Sequence, residues 1–493
     1  MKTIYIWLLA LICSLLLFSC YKDEGNYDYK EINEIRIGKL ENKSQYTNID
    51  RLEVTPDVQY TRPNGKYGYT WVARSLSERT EDMEPVDYLL GTDKNLDYFV
   101  DLNIGDYIVT FTVTDSVASL KWSSSFSLTV ASATYMGWMV LCDENGYARL
   151  DMVEESGDTP LYSRNILSNT PLAPKKDPRK MVAFTLDWMD SFEIFMLTGE
   201  GCSKLVASDL SWEESNDFRY TLANPSQGDM KVQNMCPSSI RGTLMIGDHN
   251  AYWRQQQGGA LFGLPVNRVD GQQVRVSPYI GVQMSSSTLF GANNFILFDE
   301  ENDRFLRFAS GSNSCSVLSD FPQGYQLKYM QNTVYSQGIS YAILYKEDTR
   351  EYKLLSFYAE NLQVAKFIPL EIPNMDDISL FAFDPVFPYL FYAEGGQLYL
   401  YDWTAGKPEK RIIPMQNFKD ERITMLKYNV GFYAHYQGTA VGTPDQYLLV
   451  GTATKDNKGS LHLLEPQATI TEPVEHDTHT GFAVIVDATY RER

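Results

Sequence analysis

The chain has 493 residues, 44% of them hydrophobic and 13% aromatic, and a formal net charge of -20. That length is too great for one small core and calls for two or more folded units. The apolar content excludes a disordered chain. The negative charge repels phosphate backbones and disfavours nucleic acid as a partner; it also reads as a well-solvated surface.

Lys2 precedes an uncharged apolar run over residues 4–18. A charged start, an apolar stretch and a small residue before a cut make a secretory signal. The run is shorter than the roughly 20 apolar residues a spanning helix needs, and no later run approaches that length. It ends at Leu17-Phe18-Ser19-Cys20, which resembles the lipobox of bacterial lipoproteins. The resemblance implies a signal peptide over 1–19, lipid on Cys20, and a tether over 20–30. Lys22, Asp23 and Glu24 follow at once. They resemble the surface-export signal of Bacteroidota lipoproteins, which implies an outer-membrane protein facing the medium. A solvated tether on a periplasm-facing lipoprotein is the other reading.

Residues 31–131 alternate apolar and polar positions with little helical periodicity. In "YGYTWVA" (67–73), Tyr67, Tyr69 and Trp71 share one face of a strand. In "DYIVTFTVTDS" (106–116), Tyr107, Val109, Phe111 and Val113 do the same, and "SSFSLTVAS" (124–132) closes the segment. Short strands with turn signals over this length predict an antiparallel sandwich. The Tyr-x-Trp strand, "GDYIVTFTVTD" and the closing "SLTV" resemble polycystic-kidney-disease (PKD) type domains. More closely, Tyr21 to Tyr29 ("YKDEGNYDY") and Ile32-Asn33-Glu34-Ile35 resemble the tether and first strand of PKD-like family lipoproteins of Bacteroidota. That resemblance implies an Ig/PKD-like sandwich and a surface accessory of SusC/SusD-type outer-membrane importers. No enzymatic residue comes with it.

Past residue 132 one theme recurs: an apolar strand, a polar turn and an alternating strand. Its copies are "WMVLCDENGYARLDMV", "FEIFMLTGEGCSKLVASDL", "TLMIGDHNAYWRQ", "NFILFDEENDRFLRFA", "YAILYKEDTREYKLLSFY", "YLFYAEGGQLYLYDW" and "YLLVGTATKDNKGSLHLLE". Turn markers Asp143, Gly199, Asp248, Asp299, Lys346, Glu394 and Lys455 are spaced by 56, 49, 51, 47, 48 and 61 residues. A repeat near this length with all-strand content predicts a β-propeller over 132–493. Each copy is then the visible hairpin of a four-stranded blade. Trp-Asp and kelch consensus motifs are missing, so the propeller is divergent. The spacing fits seven blades best and is compatible with six or eight. "GFAVIVDATY" (481–490) follows a polar loop, has no hairpin partner, and could complete the blade begun by 133–142.

Chemistry is sparse. There is no H-E-x-x-H, G-x-S-x-G, P-loop or G-x-G-x-x-G. His476 and His479 form H-x-x-H, but Pro473 and polar neighbours place them in a loop before a strand, and no metal is expected. "DENG" (143–146), "GDHN" (247–250) and "DEENDR" (299–304) read as hairpin tips. Beyond Cys13 and Cys20 the cysteines are Cys142, Cys202, Cys236 and Cys315, widely spaced and without C-x-x-C. No zinc site is expected, and Cys142, in an apolar strand, reads as a buried free thiol. Tyr252, Trp253 and Arg254 run into a Gln/Gly-rich stretch and are the best local candidates for a ligand platform; packing between blades is the alternative.

These features favour an all-β surface lipoprotein with no cofactor: a non-catalytic accessory of a SusC/SusD-type system that binds oligopeptide or glycan. A divergent propeller glycosidase or lyase is the alternative, because its carboxylates need meet only in space. A cell-surface adhesin or scaffold is another.

Overall fold

A computed structural model describes residues 33–491, apart from 48, 135, 155–158, 186–191, 238–241, 256–259, 284–292, 334–337, 407–409, 430–445 and 469–472. The signal peptide, Cys20, Lys22, Asp23 and Glu24 lie outside the described residues. The chain divides into two units, Met1–Ala131 and Ser132–Arg493.

In the first unit, strand Gly105–Asp115 buries Tyr107, Val109, Phe111, Val113 and Asp115, every second residue. That alternation is the strand period of two meeting a one-sided core. The strand sits at the centre of a five-stranded sheet in the order Lys43–Tyr46, Leu120–Ala131, Gly105–Asp115, Tyr67–Arg79, Pro85–Gly91. Two short pairs, Ile35–Ile37 with Val58–Tyr60 and Arg51–Val54 with Leu96–Phe99, contribute Ile35, Val58, Leu52 and Leu96 to the same core. Trp71 stacks on Phe111 at 4.3 Å, and its indole N–H donates to Asp93 O at 3.0 Å. Asn33 ties the start of the unit to its core, donating to Asp115 Oδ2 at 2.9 Å and to Tyr67 OH at 2.8 Å. The sheet departs from the antiparallel expectation at one edge, where Lys43–Tyr46 runs parallel to Leu128–Ala131.

The second unit is a seven-bladed β-propeller. Each repeated hairpin forms the second and third strands of one blade. The second strands Gly137–Glu144, Phe192–Thr198, Gly242–Gly247, Asn294–Asp299, Ser340–Lys346, Tyr389–Glu394 and Leu448–Thr454 read as unbroken apolar runs because both faces are buried between neighbouring blades. Side chains alternate between the two neighbours. Met139 and Leu141 pack with Met181, Ile194 and Met196 of the next blade. Trp138, Val140 and Cys142 pack with Leu449, Leu461 and Leu463 of the preceding one. The same division repeats round the ring, giving seven separate cores for seven seams.

The hairpin turns use left-handed backbone where it is cheap. Asn145 and Gly146 have φ of 58° and 85°, and Asp248 and His249 have φ of 46° and 61°. Two consecutive positive values suit the right-handed twist of the flanking strands. In "DEENDR", Asp299 accepts from Glu301 N, Asn302 N and the Arg304 guanidinium.

The ring closes through the chain's end. Val484–Arg491 pairs antiparallel with Gly137–Glu144 and is the innermost strand of that blade. The segment before it is not a loop. Val474–Phe482 is a strand, the fourth of the preceding blade, paired with Gly459–Glu465. The dense polar sequence of 474–481 hides it, because an outer strand is largely exposed.

Candidate functional site: the propeller channel

An innermost blade strand has a hydrogen-bonded neighbour on one edge only; the other edge looks toward the axis. Its backbone groups need partners. Here polar side chains on these strands bridge every seam. Asp487 Oδ2 accepts from Met181 N at 2.8 Å. Lys180 Nζ donates to Asn234 Oδ1 at 2.8 Å, and Asn234 Nδ2 donates to Pro278 O at 2.9 Å. Asn332 Nδ2 donates to Ile280 O at 2.8 Å, and its Oδ1 accepts from Val282 N at 3.1 Å. Gln331 exchanges two bonds with the Phe383 backbone, at 2.7 and 2.8 Å. Tyr428 OH donates to Asp384 Oδ2 at 2.5 Å, and Thr424 Oγ1 donates to Ile485 O at 2.8 Å. A wall tied at every seam is pre-organised for a ligand.

The channel encloses a cavity of about 460 Å³, lined by Lys180, Asn234, Tyr329, Gln331, Lys427 and Asp487 among others. Lys427 Nζ donates to Asp487 Oδ1 at 2.7 Å. Lys180 has only the neutral Asn234 oxygen as a hydrogen-bond partner among the described residues. Burial pushes the Lys180 ammonium below the usual lysine range; Lys427 adds to the fall and Asp487 opposes it. The wall thus presents the Lys180 and Lys427 amines and the Asp487 carboxylate beside amides and tyrosine rings; Arg179 also lines it, with its guanidinium paired to Asp177 at 2.6 Å.

The sequence-predicted ligand platform lies elsewhere and is not exposed. Tyr252 is buried between blades with Phe184, Phe195 and Phe262. Trp253 packs edge-on against Phe295 at 5.5 Å. Arg254 is buried in an ion pair with Glu193 and lies over the Phe262 ring at 4.8 Å. The alternation of strand Asn250–Gln255 between two packed faces leaves no free platform for these three side chains. His476 and His479 stand three apart on a strand, so they point to opposite faces. His476 stacks on Tyr447 at 4.5 Å, and His479 is buried beside Tyr162. Among the described residues no group of three or more His, Cys, Asp or Glu is placed to hold a metal, and no helix is long and apolar enough to cross a membrane.

Sequence reasoning missed Lys180, Lys427 and Asp487. The signal was partial: Lys427 and Asp487 each interrupt an apolar run, "ITMLKY" and "AVIVDA", and Lys180 opens one, "KMVAF", directly after Arg179. Such a charge points either to a paired core group or to an internal water-filled wall.

Known proteins resemble the chain in two ways. Solved structures with related architecture include a quinonprotein alcohol dehydrogenase-like protein from Bacteroides thetaiotaomicron, 11% identical, covering 91% of this chain and 96% of its own, with a TM-score of 0.42. A DUF4784 family protein from Bacteroides caccae is 10% identical over 78% of this chain and 96% of its own, with a TM-score of 0.34. YCF48 from Cyanidioschyzon merolae is 11% identical over 68% of this chain and 100% of its own, with a TM-score of 0.36. No curated protein matches the sequence. Residues 20–171, which span the sandwich and the first repeated hairpin, match the PKD-like family.

Proposed function

We propose that this chain is a lipid-anchored cell-surface binding protein, an accessory of a SusC/SusD-type uptake system that holds an oligopeptide or glycan in its propeller channel without transforming it. The observation that carries the binding role is the cavity of about 460 Å³. Its size falls within the usual range for small-ligand pockets, and its wall is fixed by the seam hydrogen bonds. Cys20 and the Lys22-Asp23-Glu24 run support the anchor and the outward address. The PKD-like match over 20–171 supports the accessory role.

The test is purification of the full chain from membranes, followed by ligand binding and product analysis. Co-purification with a SusC/SusD-type pair and saturable binding without product are expected. Recovery of Cys20→Ala in the membrane fraction, at the level of the unmodified chain, would overturn the anchor. Saturable conversion of a bound glycan or peptide would overturn the binding-only role.

One observation favours the enzyme reading. Asp384 is 2% exposed, and burial raises its carboxyl above the usual aspartate range, against hydrogen bonds from Phe387 N, Tyr428 OH and Val386 N. Raised carboxyls mark general acids. Those three donors also occupy its oxygens, which favours a structural role. Turnover that disappears in Asp384→Asn would decide for the enzyme.

A further inference from the structure

We propose that the channel binds an organic carboxylate, with the Lys180 ammonium as its direct contact and Asn234 as the residue that positions that ammonium. The inference deepens the binding reading above and rests on it.

The charge balance of the wall comes first. Lys427 is matched by Asp487 at 2.7 Å. Lys180 donates to an amide oxygen alone among the described residues, and Asp487, already bonded to Lys427, acts on it only through its charge. An ammonium has three donors, and one is spent on Asn234. Lys180 is half-buried, and an ammonium partly shielded from bulk water is favoured by an opposite charge. A methionine would fill the same volume without that need. Inside a chain of net charge -20, this leaves a positive spot in an acidic molecule.

Placement comes second. The Asn234 amide cannot turn over freely. Its Nδ2 donates to Pro278 O, so its oxygen is the atom held toward Lys180. The lysine is therefore oriented by a neutral clamp that brings no counter-charge.

The ligand class follows from the count. One unmatched ammonium suits one negative charge; a phosphate dianion would call for more donors or a free arginine fork, and the Arg179 guanidinium on this wall is held by Asp177 at 2.6 Å. Tyr279 and Tyr329, packed edge to face at 5.8 Å, add ring surface to the same wall. They suit the body of an acidic sugar or of a short peptide ending in a free carboxylate. Both carry the same recognised group.

The experiment is calorimetric titration of the full chain with four probes: digalacturonate, its neutral counterpart galactobiose, trialanine, and trialanine amide. At least one acid is expected to bind about tenfold or more tightly than its uncharged partner, the value of a charge-assisted contact. Lys180→Met is expected to reduce the acid to the level of the neutral probe, and Lys180→Arg to keep the preference. Which acid binds separates the sugar from the peptide source. If neutral probes bind as tightly as acids and Lys180→Met changes nothing, the carboxylate proposal falls while the channel-binding reading stands. If neither acid binds at millimolar concentration, the proposal falls as well. Should Lys180→Met fail to fold, the comparison of acid with neutral probe at low and high salt in the unmodified chain still decides. Loss of the preference at high salt is expected, and no preference at low salt overturns the proposal.

Discussion

Asp487 accepts the backbone N–H of Met181 at 2.8 Å, although the two residues stand 306 positions apart. The same carboxylate holds the Lys427 ammonium through its other oxygen. One side chain on the final strand thus ties the closing blade to both of its neighbours. Propeller closure here depends on packing and on this polar junction, because the last strand must be captured by a blade begun more than 340 residues earlier.

Asp487→Ala should therefore weaken the whole ring. It leaves Lys427 without its counter-ion and Met181 N without an acceptor. Removing one partner of a buried pair costs about 3–5 kcal/mol. Lys427 keeps 23% of its side-chain surface exposed, so water offsets part of that, and about 2–3 kcal/mol is expected. Asp487→Asn keeps an acceptor and should lose less. Urea unfolding of the two variants checks both statements, and equal midpoints for all three proteins would refute them.

Glu193 and Arg254 offer a second test. They are 4% and 7% exposed, and Lys204 adds a contact to Glu193 at 2.9 Å. Arg254 Nε has no hydrogen-bond partner among the described residues, so the pair is incompletely satisfied. Glu193→Gln should cost about 3–5 kcal/mol by stranding the guanidinium. The double change Glu193→Leu with Arg254→Met should cost less than either single change. Burial raises the Glu193 carboxyl, and Arg254 and Lys204 more than reverse this, leaving it below the usual range. A carboxyl depressed in the folded state stabilises above its unfolded pKa, about 4.3. That contribution disappears as pH falls through the lower folded value. The unmodified protein should thus lose stability in acid more steeply than Glu193→Gln, as measured by melting temperature from pH 6 to pH 3. Parallel curves would show that the pair is not linked to folding.

Much of the ring was legible because its second strands are buried on both faces and spell apolar runs such as "NFILF" and "YLFYA". Of the inner strands, Val484–Arg491 was legible in "GFAVIVDATY". Gly281–Val282 and Phe381–Phe383 were not: they are two and three residues long, too short to show a period. Outer strands fail for the opposite reason: Val474–Phe482 faces solvent and carries no apolar stripe. Arg254 was misread because its partner Glu193 lies 61 residues away in another blade. Locally, a Trp-Arg pair beside glutamines looks like an exposed anchor. The charged channel residues share that difficulty. Lys180, Lys427 and Asp487 acquire meaning only when the ring brings three distant strands to one axis.

Gly459 tests how closely the last two blades approach. A Cβ at this position would collide with Ala483 O, just before the closing strand, and crowd Ile485 at its start. The carbonyl belongs to backbone and cannot swing aside. Gly459→Ala should cost about 1–3 kcal/mol, as overpacking does. Gly263, with open space around it, is the control: Gly263→Ala should stay near zero. A denaturant midpoint unchanged in Gly459→Ala would mean that the strands can part there without loss.

The four cysteines of the propeller give the last prediction. Cys142, Cys202, Cys236 and Cys315 are free and buried. They sit in cores between blades, and burial pushes the thiols of Cys142, Cys236 and Cys315 up to about 12. Cys202 is raised well above its ordinary value for the same reason. Alkylation requires the thiolate. At pH 8 a thiol of pKa about 12 is ionised to only on the order of one part in ten thousand, against roughly a quarter for a free cysteine. Native protein should therefore resist iodoacetamide at all four positions, and urea should expose them together if the ring unfolds as one unit. Cys236 is the sensitive reporter, because it lies on the channel wall as well as in a core. Peptide mapping after brief labelling reads each site separately. Rapid native labelling of Cys236 alone would show that the channel wall opens at the seam bridged by Asn234, and would contradict the rigid wall on which ligand binding here is argued.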